Sequence, residues 1–64
     1  MLIVMHHSAT DEQVNAVTDA VEAMGLVAEP IPGSLRTAIG VLGNQGYVDD
    51  TTIRELPGIR EVIH

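Results

Sequence analysis

Side chains able to do chemistry are few and scattered in this 64-residue chain. His6 and His7 are adjacent, with Ser8, Thr10 and Asp11 close behind. Neighbours on extended backbone point to opposite faces, so the two imidazoles cannot share one metal ion. Either could join Asp11 in a weak site, but exposure in a loop accounts for both at less cost. Ser8 and Thr10 have no base partner in the sequence, and helix capping explains Thr10. Asp49 and Asp50 have the chemistry of a metal-binding pair. Capping and helix-dipole complementarity explain them equally well, and no further ligand is spaced nearby. His64, the last residue, reads as solvated. Gly40, Gly43 and Gly46 resemble a phosphate-binding loop only superficially. Such a fingerprint sets its glycines between a strand and a full helix, whereas Gly40 falls inside a strand. No catalytic residue and no metal site is expected.

Arg36 is the charged residue of most interest. Across the turn at Gly33-Ser34 it would pair with Glu29 on the preceding strand, which is the simpler reading. A guanidinium at that position would also grip the carboxylate of a small ligand or partner.

The elements that carry these residues follow from periodicity. Residues 2–5 are apolar and partly β-branched, a buried strand. Thr10 with Gln13 three residues on forms a capping box, and Asp11 and Glu12 occupy the first turn. Val14, Val17, Val21 and Met24 share one helical face, and Gly25 stops the helix. Residues 26–31 form a second strand whose Pro30, with Pro32 beyond, places it at a sheet edge. Gly33-Ser34 turns the chain into a third strand over 37–42, and residues 43–46 form a loop. Asp49 is the expected N-cap of a short second helix, with Val48 and Ile53 as its hydrophobic staple and its end at Leu56. Residues 59–63 are the fourth strand. The order β-α-β-β-α-β is a split βαβ motif. It predicts an α+β fold: a four-stranded antiparallel sheet, order 4-1-3-2, with both helices on one face.

Sixty-four residues hold one domain, here residues 1–64, and leave a small core. There is no cysteine, tryptophan or phenylalanine, and Tyr47 is the sole aromatic residue. The core must therefore be aliphatic, which favours help from self-association or a larger polypeptide. Three arginines stand against nine acidic residues, for a net charge of −6 and no lysine. That balance disfavours nucleic acid and anionic membrane surfaces as partners. No apolar run approaches the roughly 20 residues that span a bilayer. The opening residues lack the basic region and cleavage site of a signal peptide, so a cytoplasmic location is expected.

The expected central strands carry a further message. An open sheet covered on one side should alternate apolar with polar residues. Leu2 to Met5 are apolar on both sides, and Ile39 and Val41 oppose Ala38, Gly40 and Leu42. Apolar surface should therefore lie on the face away from the helices, as expected of a binding surface.

The start Met1-Leu2-Ile3-Val4-Met5, the capped helix at Thr10-Asp11-Glu12 and above all Gly33-x-x-Arg36-Thr37-x-Ile39-Gly40-x-x-Gly43 resemble one regulatory family. It is the N-terminal ferredoxin-like (ACT-like) domain of 3-deoxy-D-arabino-heptulosonate 7-phosphate synthase, DAHP synthase. The resemblance runs along the whole chain to Val62-Ile63. It implies a ferredoxin-like split sandwich that precedes a (β/α)₈ barrel condensing phosphoenolpyruvate with erythrose 4-phosphate, the first step of the shikimate pathway. It further implies a domain that senses an aromatic amino acid, Tyr or Phe, and controls access to the barrel's site. The divalent metal would belong to that barrel and no cofactor to this chain, which ends where the family continues into linker and barrel. The partners implied are the domain's own barrel or a homodimer partner. The resemblance assigns effector contact to Glu29, Ile31 and Arg36. The family motif Gly33, Arg36, Thr37, Ile39, Gly40 and Gly43 is otherwise mainly structural. Strand 2 reads Glu29-Pro30-Ile31-Pro32, with no hydroxyl or imidazole, so Glu29 would meet an effector's ammonium and Ile31 its apolar part. A second reading is a stand-alone interaction and dimerisation module without effector binding. An acylphosphatase-like hydrolase would need an arginine in the loop after strand 1, and that loop is His6-His7-Ser8-Ala9.

Overall fold

The computed structural model describes residues 1–43 and 48–64. The elements are β1 (Leu2–Met5), α1 (Asp11–Ala23), β2 (Val27–Ile31), β3 (Ala38–Leu42), α2 (Thr51–Arg54) and β4 (Ile59–Ile63). The strands form one antiparallel sheet in the order β2-β3-β1-β4, the expected order read from its other edge. The expected loop after Gly43 and the lone aromatic Tyr47 lie outside the described residues.

Local sequence explains most boundaries. At the start of α1, Gln13 N–H donates to Thr10 Oγ1 at 3.1 Å and Thr10 N–H donates back to Gln13 Oε1 at 3.0 Å, completing the capping box. At its end Gly25 takes φ +81°, Gly25 N–H donates to the Glu22 carbonyl and Leu26 N–H to the Val21 carbonyl. That pair of bonds is a Schellman closure, satisfying carbonyls the helix cannot. Pro30-bearing β2 is an edge strand, as a residue without an N–H requires.

One aliphatic core lies between the helices and one sheet face. Ile3 and Met5 of β1, Ile39 and Val41 of β3 and Val62 of β4 pack with Val17 and Val21 of α1 and Ile53 of α2. Val14 borders this cluster, but Met24 does not join it and stands 43% exposed. The second helix is too short to cover the last turn of α1.

That second helix corrects the sequence expectation. It runs only Thr51–Arg54, short of Leu56, and its N-cap residue is Asp50, not Asp49. Asp50 makes no side-chain capping bond. Asp49 Oδ1 instead accepts from Thr51 N–H at 3.0 Å and Thr51 Oγ1 at 2.7 Å, a local turn that stands in for the cap. The one-residue shift also takes Val48 and Ile53 out of staple register, although both are buried. Asp50 cannot cap because its carboxylate is engaged by Arg54 and His64.

Candidate functional site

Strand alternation divides the sheet into two faces. The core takes Ile3, Met5, Ile39, Val41 and Val62. The intervening residues form the other face, which no helix covers. Register aligns them in rows across the strands. Glu29, Gly40, Leu2 and Ile63 make one row, and Ile31, Ala38, Val4 and Glu61 make the next. Val27 faces Leu42 beyond the first row. Val27, Ile31, Leu42 and Ile63 are exposed large apolar side chains, and all four belong to this face. The expected apolar surface is therefore present; Glu29 and Glu61 bring charge to it, one on each outer strand, and exposed Arg60 sits at the β4 bulge between Glu61 and Ile59.

Glu29 and Ile31 lie on this open face, on neighbouring rows of its β2 edge. Arg36 lies exposed in the connection ahead of β3. The expected Arg36–Glu29 pair is not formed. Register places Glu29 opposite Gly40 and Ile31 opposite Ala38, so Arg36 falls across from Gly33, four residues along the strand pair from Glu29. Among the described residues the ion pair is Asp50 with Arg54, and the His64 ring adjoins the same carboxylate. The neighbouring Leu35 is 80% exposed, an apolar side chain at the same end of the sheet that sequence pattern did not single out.

The motif glycines separate by role. At Gly33 a Cβ would meet the Arg36 carbonyl oxygen at 2.6 Å, so the turn into β3 requires glycine. Gly43 ends β3 at φ +87°. Gly40 is different. A Cβ there would lie 3.7 Å from the Glu29 carbonyl oxygen and 3.8 Å from Ile31 Cδ1, ordinary contacts. None of these contacts demands a glycine at Gly40, where the row between Glu29 and Leu2 carries no side chain. Thr37 continues the ladder by accepting from Met5 N–H at 3.0 Å, and Ile39 is fully buried.

A second arrangement lies on the helix side. Asp50 is 8% exposed, and its Oδ2 accepts from Arg54 Nε at 2.8 Å and lies 2.8 Å from His64 Nε2. Sequence reasoning read His64 as solvated and saw no partner for Asp50. Fourteen residues separate them, and only the antiparallel return of β4 brings them together. Hydrogen bonding to His64 foremost, with Arg54 assisting against burial, holds the Asp50 carboxyl below the usual aspartate range. The Thr51 hydroxyl and then its N–H do the same for Asp49. Both groups bind protons more weakly folded than unfolded, so their contribution is complete above the unfolded value near 4 and is lost as pH falls through the lower folded values. The melting temperature should therefore decline below about pH 4. The double variant D49N/D50N should flatten that decline, and an unchanged acid slope would contradict the assignment.

Between α1 and α2 lies a cavity of about 310 Å³ lined by Ala20, Ala23, Met24, Asp49, Thr52 and Ile53. None of Glu29, Ile31 or Arg36 borders it. His6 and His7 are exposed, and no three His, Asp or Glu side chains converge as a metal site among the described residues. No helix among those residues is long and apolar enough to cross a membrane.

A four-stranded antiparallel sheet in the order 2-3-1-4, with two helices on one face, defines a ferredoxin-like α+β domain. The chain matches the family model of the DAHP synthase ferredoxin-like domain over residues 1–64, and it belongs to that family. Its structure is similar to the crystal structure of phospho-2-dehydro-3-deoxyheptonate aldolase (DAHP synthase) from Thermotoga maritima. The TM-score is 0.83 at 25% sequence identity, over 94% of this chain and 18% of that one. The chain thus spans less than a fifth of that enzyme's length. No curated protein sequence matched it.

Proposed function

We propose that this domain regulates the catalytic barrel of a DAHP synthase by sensing an aromatic amino acid, Tyr or Phe. The observation that carries this reading is the uncovered sheet face: apolar, without a side chain at Gly40, and bordered in register by Glu29. An amino acid presents an ammonium, a carboxylate and an apolar side chain. Glu29 suits the ammonium, and the floor formed by Gly40, Leu2 and Ile31 suits an aromatic ring. Arg36, unpaired with Glu29, suits the carboxylate.

Family membership supports the attachment to DAHP synthase, and condensation chemistry is assigned to the barrel with its divalent metal. The domain's own contribution is differential binding. A ligand shifts an equilibrium only by preferring one of two arrangements. Seated on an exposed face, it gains that preference when a second surface, the barrel or another copy of the domain, closes over it.

The test is inhibition of the DAHP synthase polypeptide that carries this domain. E29Q removes the charge facing the ammonium, and a charge-assisted hydrogen bond is worth about 1.5–3 kcal/mol. The amino-acid concentration giving half-inhibition should rise about tenfold or more. An unchanged midpoint would overturn the role of Glu29, and an absence of inhibition by Tyr, Phe and Trp would overturn the sensing reading itself.

A further inference from the structure

The open face and the helix layer meet at the end of β4. Ile63 and His64 are consecutive, so they leave opposite sides of the sheet. Ile63 pairs with Leu2 and lies half exposed on the open face. His64 turns to the helix side, where its Nε2 lies 2.8 Å from Asp50 Oδ2. The same oxygen accepts from Arg54 Nε at 2.8 Å, and Arg54 Nη2 reaches the Val62 carbonyl at 3.5 Å. Two side chains, one from α2 and one just past β4, thus converge on one nearly buried carboxylate. A carboxylate withdrawn from water needs such partners, and removing one leaves the others under strain to regain solvent.

We propose that Asp50, Arg54 and His64 form a clasp that fixes the end of β4 against α2 and, through Ile63, sets the shape of the open sheet face. Its regulatory use rests on the ligand reading above. The row Ile63, Leu2, Gly40 and Glu29 crosses all four strands, so the clasped strand end and the proposed ammonium partner share one line of contacts. Backbone pairing joins the four strands residue by residue along this row, so a shift of the β4 end is passed to its neighbours. A ligand that favours one position of Ile63 must favour the matching state of the clasp, and the coupling is reciprocal. Asp50 is freed for this use because Asp49 supplies the local turn at the helix start.

Amide hydrogen exchange on the chain tests the clasp without any ligand. His64 is half exposed, so H64A carries little risk to folding. In H64A and in D50N the Leu2 and Ile63 amides should exchange about tenfold faster, while Val17 and Val21 in α1 stay unchanged. The double variant should exchange no faster than D50N alone, as expected of interactions that share Asp50. Unchanged exchange at Leu2 and Ile63, equal acceleration of α1, or additive effects would each overturn the clasp. The coupling is read separately with L-tyrosine and L-phenylalanine as probes. H64A should alter their affinity at least threefold, and an unaltered affinity would overturn the coupling. If neither amino acid binds the unsubstituted chain, the ligand reading fails, while the exchange result still decides the clasp.

Discussion

Replacing Gly58 with alanine should lower the melting temperature by about 10–20 °C, from a loss of about 2–4 kcal/mol in a domain this small. Two independent costs combine. Gly58 has φ +91°, where an L side chain is strained by about 1–2 kcal/mol. An added Cβ would also lie 2.7 Å from Gln13 Oε1, 3.1 Å from its Cδ and 3.2 Å from its Cβ. Gln13 is half of the capping box, so relieving the clash displaces the group that accepts from Thr10 N–H, and loss of a cap costs about 0.5–2 kcal/mol. Gly58 also accepts from His6 N–H at 2.7 Å, joining the end of β1 to the start of β4. Domains below about 70 residues have only some 3–5 kcal/mol of core stability in hand, so this single methyl group removes a large part of it. Thermal unfolding of G58A beside Q13A separates the two costs: Q13A removes the cap alone and should fall less far. A G58A melting temperature within a few degrees of the parent would show that the contact with Gln13 is incidental.

Gly58 also marks where sequence reading stops. The Pro57-Gly58 pair plainly ends a helix, but nothing local tells that its glycine abuts a side chain 45 positions earlier. The features legible in the sequence were those governed by short-range chemistry. The Thr10–Gln13 box, the Gly25 stop and the edge position of Pro30 each follow from a residue and its near neighbours. The unbroken apolar character of β1 and β3 even announced the uncovered face. What escaped was long-range pairing. Arg36 and Glu29 are close in sequence and of opposite charge, yet register separates them, and register is a property of two strands together. Asp50 and His64 are far apart in sequence and meet only because β4 returns beside α2. Asp49 and Asp50 are both plausible caps, and the choice between them fell to that distant histidine.

A G40V variant should keep the fold and lose ligand affinity by at least tenfold, about 1.4 kcal/mol or more. The position tolerates a side chain: its Cβ would meet Glu29 and Ile31 at ordinary distances. Valine suits a strand better than glycine, whose backbone freedom costs about 0.5–1 kcal/mol. The melting temperature should therefore hold or rise by a few degrees. Both helices pack on the other face, so neither would meet the added side chain. Two added methyl groups would fill the space over Gly40 beside Glu29 and exclude a ring from it. Calorimetric titration with thermal unfolding of the same sample separates the two effects. A destabilised G40V would show that the glycine serves the fold, and retained affinity would show that the ligand sits elsewhere.

Titration of the chain with Tyr, Phe and Trp, followed through its backbone amide resonances, tests the sensing role most directly. Tyr or Phe at millimolar concentration should shift Glu29, Ile31, Gly40 and Ile63 on the open face and leave Ala20 and Thr52 in the helix-side cavity unmoved. Absence of any shift with all three amino acids, in this chain alone and in this chain joined to a DAHP synthase barrel, would contradict the role proposed for this domain.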